Sequence, residues 1–227
     1  MTTITRGKRY RKDAEKTSET PVALAEAVAK VKTFNSTKFD QTVQLIFWLG
    51  IDPKQSDQIV RGALSLPHGI GKLKKVIAFC EGAEAEAAKQ AGAIEVGVDE
   101  LIAKVTGGWS DFDVAIASTK VMGKVGKLGR VLGPQGKMPS PKNGTVTADV
   151  ATAVREFAAG KVEFKNDTGG NVHVVVGKVS FDAQKLIDNI DAVISHIKKI
   201  KPVSSKGTYI KKISIHAAMS PGVLVAL

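Results

Sequence analysis

The sequence predicts an α/β protein of two domains: a discontinuous α+β domain made from both chain ends, and an α/β domain inserted between them. Val43, Leu45, Phe47 and Leu49 share one parity with Phe39, the period-two pattern of a long strand with one buried face. Farther on, the apolar runs KVIAFC, AIEVG and FDVAIAS are separated by the alanine-rich AEAEAAKQAG and by VDELIAKV. Short buried strands alternating with helices suggest a parallel sheet covered on both faces. After Gly160 the style returns to antiparallel, with alternating KVEFK, the turn NDTGGN and the strand VHVVV.

Taken in order, Thr20 and Pro21 read as an N-cap with proline at the first helical position. Leu24, Ala27, Val28 and Val31 then recur at helical spacing. The strand that begins at Phe39 ends in GIDPKQSDQ, which is turn chemistry. LPHGIGK, Leu66 to Lys72, reads as the crossing between domains, and the helix TADVATAVREFAAG closes the insert at Gly160. The expected division is therefore 1–67 with 161–227 for the outer domain and 68–160 for the insert. Ser180 and Asp182 are candidate caps for a helix with Leu186, Ile190, Val193 and Ile197 on one face. TYIKKISIH reads as the last long strand and GVLVAL as a final edge strand.

A chain of 227 residues with 43% apolar residues can bury a substantial core. Its 33 lysines and arginines against 22 carboxylates give a net charge of +11, which draws anionic partners. Nucleic acid is the commonest of these, and an acidic membrane surface shares the attraction. The charge is uneven: no carboxylate lies between Asp113 and Asp149 or after Asp191, while Arg6, Lys8, Arg9, Arg11 and Lys12 crowd the start. Uneven charge of one sign suggests a binding surface. The lone Cys80 sits in an apolar run and reads as a buried hydrophobe. The first residues lack the apolar core of a signal peptide, and no run reaches membrane-spanning length, so a cytoplasmic setting is expected.

Lys120 to Val146, rich in glycine, lysine and proline, is either a phosphate cradle or a cationic surface for nucleic acid. A P-loop needs a hydroxyl directly after its lysine and a glycine six residues before it; Met138 and Val131 stand in those places around Gly136-Lys137. GIGKLK has Lys74 where a dinucleotide fingerprint needs its third glycine. His68, His173, His196 and His216 are scattered, with no HExxH pair, and a single cysteine rules out a zinc ribbon. No catalytic residue, metal, cofactor or small-molecule substrate is expected.

Several stretches taken together carry a resemblance. They are GKRYR (Gly7 to Arg11), KFDQTV (Lys38 to Val43), LGIDPKQSDQIVRGALSLPHGIGK (Leu49 to Lys72) and MGKVGKLGRVLGPQGKMPSPKNGTV (Met122 to Val146). VEFKNDTGGNVHVVVGK (Val162 to Lys178) and KGTYIKKISI (Lys206 to Ile215) complete the set. The chain resembles, over nearly its whole length, the family of the first protein of the bacterial large ribosomal subunit (ribosomal protein L one). The combination is far more specific than any of its parts.

The resemblance implies a ribosomal-RNA-binding outer domain and an insert with a Rossmann-like three-layer fold. It also implies binding to the mobile stalk of large-subunit rRNA, help in releasing deacylated exit-site tRNA, and repression of the protein's own mRNA. Carried to this sequence, the RNA contacts fall on Lys38, Phe39 and Thr42, on Lys165, Asp167 and His173 around a turn, and on Lys206, Gly207 and Thr208, which open the last long strand. Lys120, Lys124, Lys127, Arg130 and Lys137 become auxiliary RNA or tRNA contacts. The family's Thr-Met-Gly is replaced here by Ala218, Met219 and Ser220, which removes a hydroxyl and a glycine suited to close approach or positive φ. For Phe39, core packing and contact with ribose or base both stay open. Two other functions also stay open: a nucleotide-dependent enzyme using the insert, and an RNA-binding regulator without a ribosomal home.

Overall fold

The computed structural model describes residues 6–18, 20–34 and 37–226. Helices α1 (Lys8–Ala14) and α2 (Leu24–Thr33) lead into strands β1 (Thr42–Leu49) and β2 (Arg61–Leu64). Next come β3 (Val76–Phe79), α3 (Ala83–Gln90), β4 (Glu95–Gly97), α4 (Asp99–Thr106) and β5 (Val114–Ser118). The glycine-rich stretch forms α5 (Met122–Val125), a 3-10 turn, α6 (Gly129–Leu132), a second 3-10 turn and β6 (Val146–Thr147). The chain closes with α7 (Val150–Ala158), β7 (Val162–Lys165), β8 (Asn171–Lys178), α8 (Ala183–Lys199), β9 (Ile210–Ala217) and β10 (Val223–Val225). It divides into two compact units, Met1–Gly71 with Phe164–Leu227, and Lys72–Glu163.

The first unit is built on an antiparallel sheet of order β10-β9-β1-β8. Alternation along β1 buries Val43, Leu45, Phe47 and Leu49 on one face, and α2 and α8 pack on the sheet. Leu186, Ile190, Val193 and Ile197 of α8 are all buried, spaced to fall on one helical face. His196, Lys198 and Lys199 in its last turn oppose the negative end of the helix dipole. The other face of the sheet carries Thr42, Gln44, Ile46 and Trp48 of β1, none of them fully buried. GVLVAL does supply the edge strand, as β10.

Four local expectations are corrected. Phe39 precedes β1 and is 54% exposed, so it is not a core residue. The chain turns there because the Asp40 carboxylate accepts hydrogen bonds from the Ser180 N–H at 3.2 Å and its hydroxyl at 2.7 Å. Thr20-Pro21 does not start α2, whose N-cap is Ala23. Val22 instead bridges to Val225, donating to the Leu224 carbonyl at 3.0 Å and accepting from the Ala226 N–H at 2.8 Å. An edge strand leaves backbone groups that need partners, and this pairing outcompetes a local cap. Asp182 occupies the N-cap of α8 without making a side-chain cap bond, and Ser180 is held by Asp40. Lys206, Gly207 and Thr208 lie in the turn before β9 rather than in a strand.

In the second unit β4-β3-β5-β6 form a parallel sheet whose β3 and β5 are buried throughout. Ile77, Phe79, Ala115 and Ala117 share a cluster with Leu101 and Val105 of α4 and with Val125, Leu128 and Leu132 of the glycine-rich stretch. Helices α3 and α7 pack on each other and on β3. The first residue of α7 follows Asp149, whose carboxylate accepts from the Thr152 N–H at 3.1 Å as an N-cap. Burial pushes the Cys80 thiol up to about 11, so it stays a protonated, inert core group.

Candidate nucleic-acid interface

Six of the sequence-derived contacts meet at one end of the antiparallel sheet, where β1 begins and β9 ends. The Ala218 N–H donates to the Thr42 carbonyl at 3.0 Å, which fixes the β9–β10 turn beside the start of β1. The Met219 N–H donates to Gln41 Oε1 at 2.9 Å, and Arg9 donates to the Met219 carbonyl at 2.8 Å. Lys178, opposite Thr42 in the ladder, donates from Nζ to Thr42 Oγ1 at 2.8 Å. Both Phe39 and Met219 are left about half exposed, at 54% and 52%. Phe39 also walls a groove of about 380 Å³ with Lys32 and Thr37. Lys38 is exposed next to it. Apolar groups are thus held out to solvent among cations by backbone bonds that leave their side chains free.

Ser220 has a structural use at this end. Its Oγ accepts from the Ala217 N–H at 2.9 Å and can donate to the carbonyl of Ala217 or Pro221. No described non-glycine residue has positive φ, so a glycine at 220 is not required by the backbone. The hydroxyl closes the turn that presents Met219.

The remaining outer contacts do not join this cluster. Lys165, Asp167 and Lys206 to Thr208 lie at the opposite end of the sheet, roughly 23 Å away along the eight residues of β1. There the Asp167 carboxylate accepts from the N–H groups of Gly169 at 2.9 Å and Asn171 at 2.7 Å, and from Asn171 Nδ2 at 3.0 Å. Asn171, first through its side chain and then through its backbone, holds the Asp167 carboxyl below the usual aspartate range. Gly50 brings β1 against the Lys206–Thr208 turn: a Cβ at 50 would lie 2.3 Å from the Thr208 carbonyl oxygen. Gly207 has φ +78, the left-handed region, so this turn also needs glycine. His173 sits between the two ends, exposed and opposite Ile46.

Most of the cations singled out in the glycine-rich stretch are occupied within their own unit. Lys120 pairs with Glu84 at 3.0 Å, and its hydrogen bond holds that carboxyl below its ordinary range. Lys124 pairs with Glu81 at 3.1 Å and Asp99 at 3.4 Å. Lys137 donates to the Ser110 carbonyl at 2.9 Å and lies 4.9 Å from the Phe112 ring centroid. Lys127 and Arg130 are exposed. Among the described residues no group of His, Cys, Asp and Glu could hold a metal ion, and no helix is long and apolar enough to cross a membrane.

Arg9, Gln41 and Lys178 escape a reading of the sequence because their partners are distant in the chain; Arg9 and Met219 are 210 positions apart. The uneven basic charge and the stretch GKRYR include Arg9, but neither pairs it with Met219.

An exposed aromatic beside cations at a sheet end is a surface on which an unstacked RNA base can stack. The model of the Ribosomal protein L1p/L10e family matches residues 31–221. The chain belongs to that family. Large ribosomal subunit protein uL1 of Cutibacterium acnes is 51% identical to it over 221 residues, covering 97% of this chain and 95% of that protein. This is a structural ribosomal protein and not an enzyme.

Proposed function

We propose that the chain binds the mobile stalk of large-subunit rRNA through its first unit, with the Phe39–Met219 end of the sheet as the primary contact. The observation that carries this reading is the bond network around Met219: Gln41, Arg9 and Thr42 fix the turn from three sides while the Met219 side chain stays exposed. A surface held this rigidly loses little entropy on binding. Exposed Lys38 beside it is a donor for phosphate oxygens, while Arg9 and Lys178 add positive charge from where they hold the Met219 carbonyl and the Thr42 hydroxyl. Asp167 has its carboxylate filled by the turn, so its part is to shape the turn that presents Lys165. The second unit, Lys72–Glu163, is a Rossmann-like insert in which Lys127 and Arg130 are available for auxiliary contact with exit-site tRNA. On this reading the protein assists release of deacylated tRNA and represses its own mRNA, because a messenger that copies the stalk's shape competes for the same surface.

Co-sedimentation with large subunits at moderate salt tests the assignment. The chain is expected to travel with the subunit, and Phe39→Ala combined with Met219→Ala to leave it in the supernatant. A chain that binds stalk RNA tightly yet never enters the subunit would be a free-standing regulator instead.

A further inference from the structure

The open face of the antiparallel sheet holds one large aromatic that the contacts above do not use. Trp48 is 41% exposed on β1 and stands in register opposite Lys212 of β9 on one side and Asn171 of β8 on the other. Lys211 Nζ lies 4.9 Å from the indole centroid and Lys212 Nζ 5.7 Å. Neither lysine forms an ion pair with a carboxylate among the described residues, and no acidic residue follows Asp191 in the sequence. Asn171, the neighbour across the ladder, is clamped by Asp167, so that side of the platform is fixed. A groove of about 450 Å³, with Pro21, Leu224 and Ala226 among its apolar walls, starts from the same two lysines. That volume lies within the ~300–1,000 Å³ of ordinary ligand pockets.

We infer that Trp48 is a stacking platform for an unpaired base of the bound RNA, with Lys211 and Lys212 taking that nucleotide's phosphates. This rests on the RNA-binding reading and extends it to a second contact, far from Phe39 and Met219 along the same sheet. The chemistry favours RNA over an acidic polypeptide because the site couples a flat aromatic face to unpaired cations. A stacked base gains more from an indole than an exposed ammonium does. An arriving base therefore takes the place of the ammonium groups over the ring, and these move onto its phosphates without meeting a competing carboxylate. The groove beside them gives the following ribose an apolar bed. Trp48 thereby links the two separated groups of contacts into one track: the Phe39–Met219 end, His173 on the open face, then Trp48 and the Asp167 turn.

The test uses the full chain. The sequence has two tryptophans, so Trp109→Phe leaves Trp48 as the only indole. Titration with a large-subunit stalk RNA fragment is expected to quench its emission with the same midpoint as binding measured by retention on a filter. Trp48→Ala is expected to weaken binding about 5–100-fold, whereas Trp48→Phe, which keeps an aromatic face, stays within about 3-fold. Lys211→Ala with Lys212→Ala is expected to flatten the dependence of log affinity on log salt by up to about two units. Thermal melting accompanies each variant, and the quench needs no variant at position 48. If RNA binds with unchanged Trp48 emission, or polyglutamate quenches as well as RNA does, the platform is overturned while RNA binding stands. If the unaltered chain does not retain the stalk fragment at all, the RNA-binding reading falls and this inference with it.

Discussion

Gln41 Oε1 accepts a hydrogen bond from the backbone N–H of Met219 at 2.9 Å, across 178 positions of sequence. Gln41 is only 5% exposed, so it positions the turn and does not itself reach a ligand. Gln41→Leu removes the acceptor and leaves the Met219 N–H unmet. The expected result is about a 3–10-fold loss of affinity for stalk RNA, from one hydrogen bond worth about 0.5–1.5 kcal/mol. The salt dependence should stay as it was, because no phosphate contact is lost. Gln41→Glu keeps an acceptor in place and should restore most of the affinity; a Glu variant as weak as the Leu variant would mean Gln41 does not act through Met219.

The two departures at the β9–β10 turn pull in opposite directions. Ala218 is exposed, so Ala218→Thr can offer a hydroxyl to ribose or phosphate and should tighten binding by roughly 3–10-fold. Ser220→Gly should weaken it by a similar factor, because it deletes the bond from the Ala217 N–H and loosens the turn. Measuring the single variants separately checks both signs.

Phe39 distinguishes stability from contact. At 54% exposed it contributes little to the core, so Phe39→Ala should leave the melting temperature unchanged. Binding should weaken by about 1–3 kcal/mol if the ring stacks on a base, with the salt slope kept. Lys38→Ala should do the converse, flattening the slope by up to about one unit. Calorimetry and a salt series on the two variants separate these effects.

How far the sequence could be read follows the range of the interactions. Period two along Val43, Leu45, Phe47 and Leu49, and the strand–helix alternation before Ser118, are local patterns set by burial, and they survive in the structure. What was not legible depends on distant partners. Phe39 continues the parity of β1, yet Asp40 bonds Ser180 and bends the chain before the strand begins. Thr20-Pro21 has every local mark of a helix start, but the edge of β10 claims Val22. The lysines of the glycine-rich stretch stood out in sequence, yet Lys120 and Lys124 meet Glu84, Glu81 and Asp99, contributed by other elements of the same unit. Lys211 and Lys212 lie in a strand already recognised, but only the register places them at Trp48.

Acid should act on the Asp167 turn at a defined place. Asn171 and Gly169 lower the folded pKa of Asp167, so its unfolded value of about 3.9 is the higher one. The unfolded state then binds the proton first, and the contribution is full above that pH and lost as pH falls through the folded value. Hydrogen exchange at the Asn171 N–H should therefore keep its protection ratio down to about pH 4 and lose it only below. Asp167→Ala should remove that protection at every pH, and a turn still protected in the alanine variant would assign its order to other bonds.

The central claim is that RNA is held by the first unit's sheet and not by the glycine-rich stretch. It is tested most directly by two double variants of the full chain, compared at one salt concentration for affinity to stalk RNA. Phe39→Ala with Met219→Ala is expected to lose at least about 30-fold, as two apolar contacts of about 1 kcal/mol or more each. Lys127→Ala with Arg130→Ala should lose less than about 3-fold, since exposed cations outside the main contact add only a screened attraction. Equal melting temperatures for both establish that folding is intact. The opposite order, with the Lys127 and Arg130 pair abolishing binding and the Phe39 and Met219 pair leaving it intact, would contradict the account.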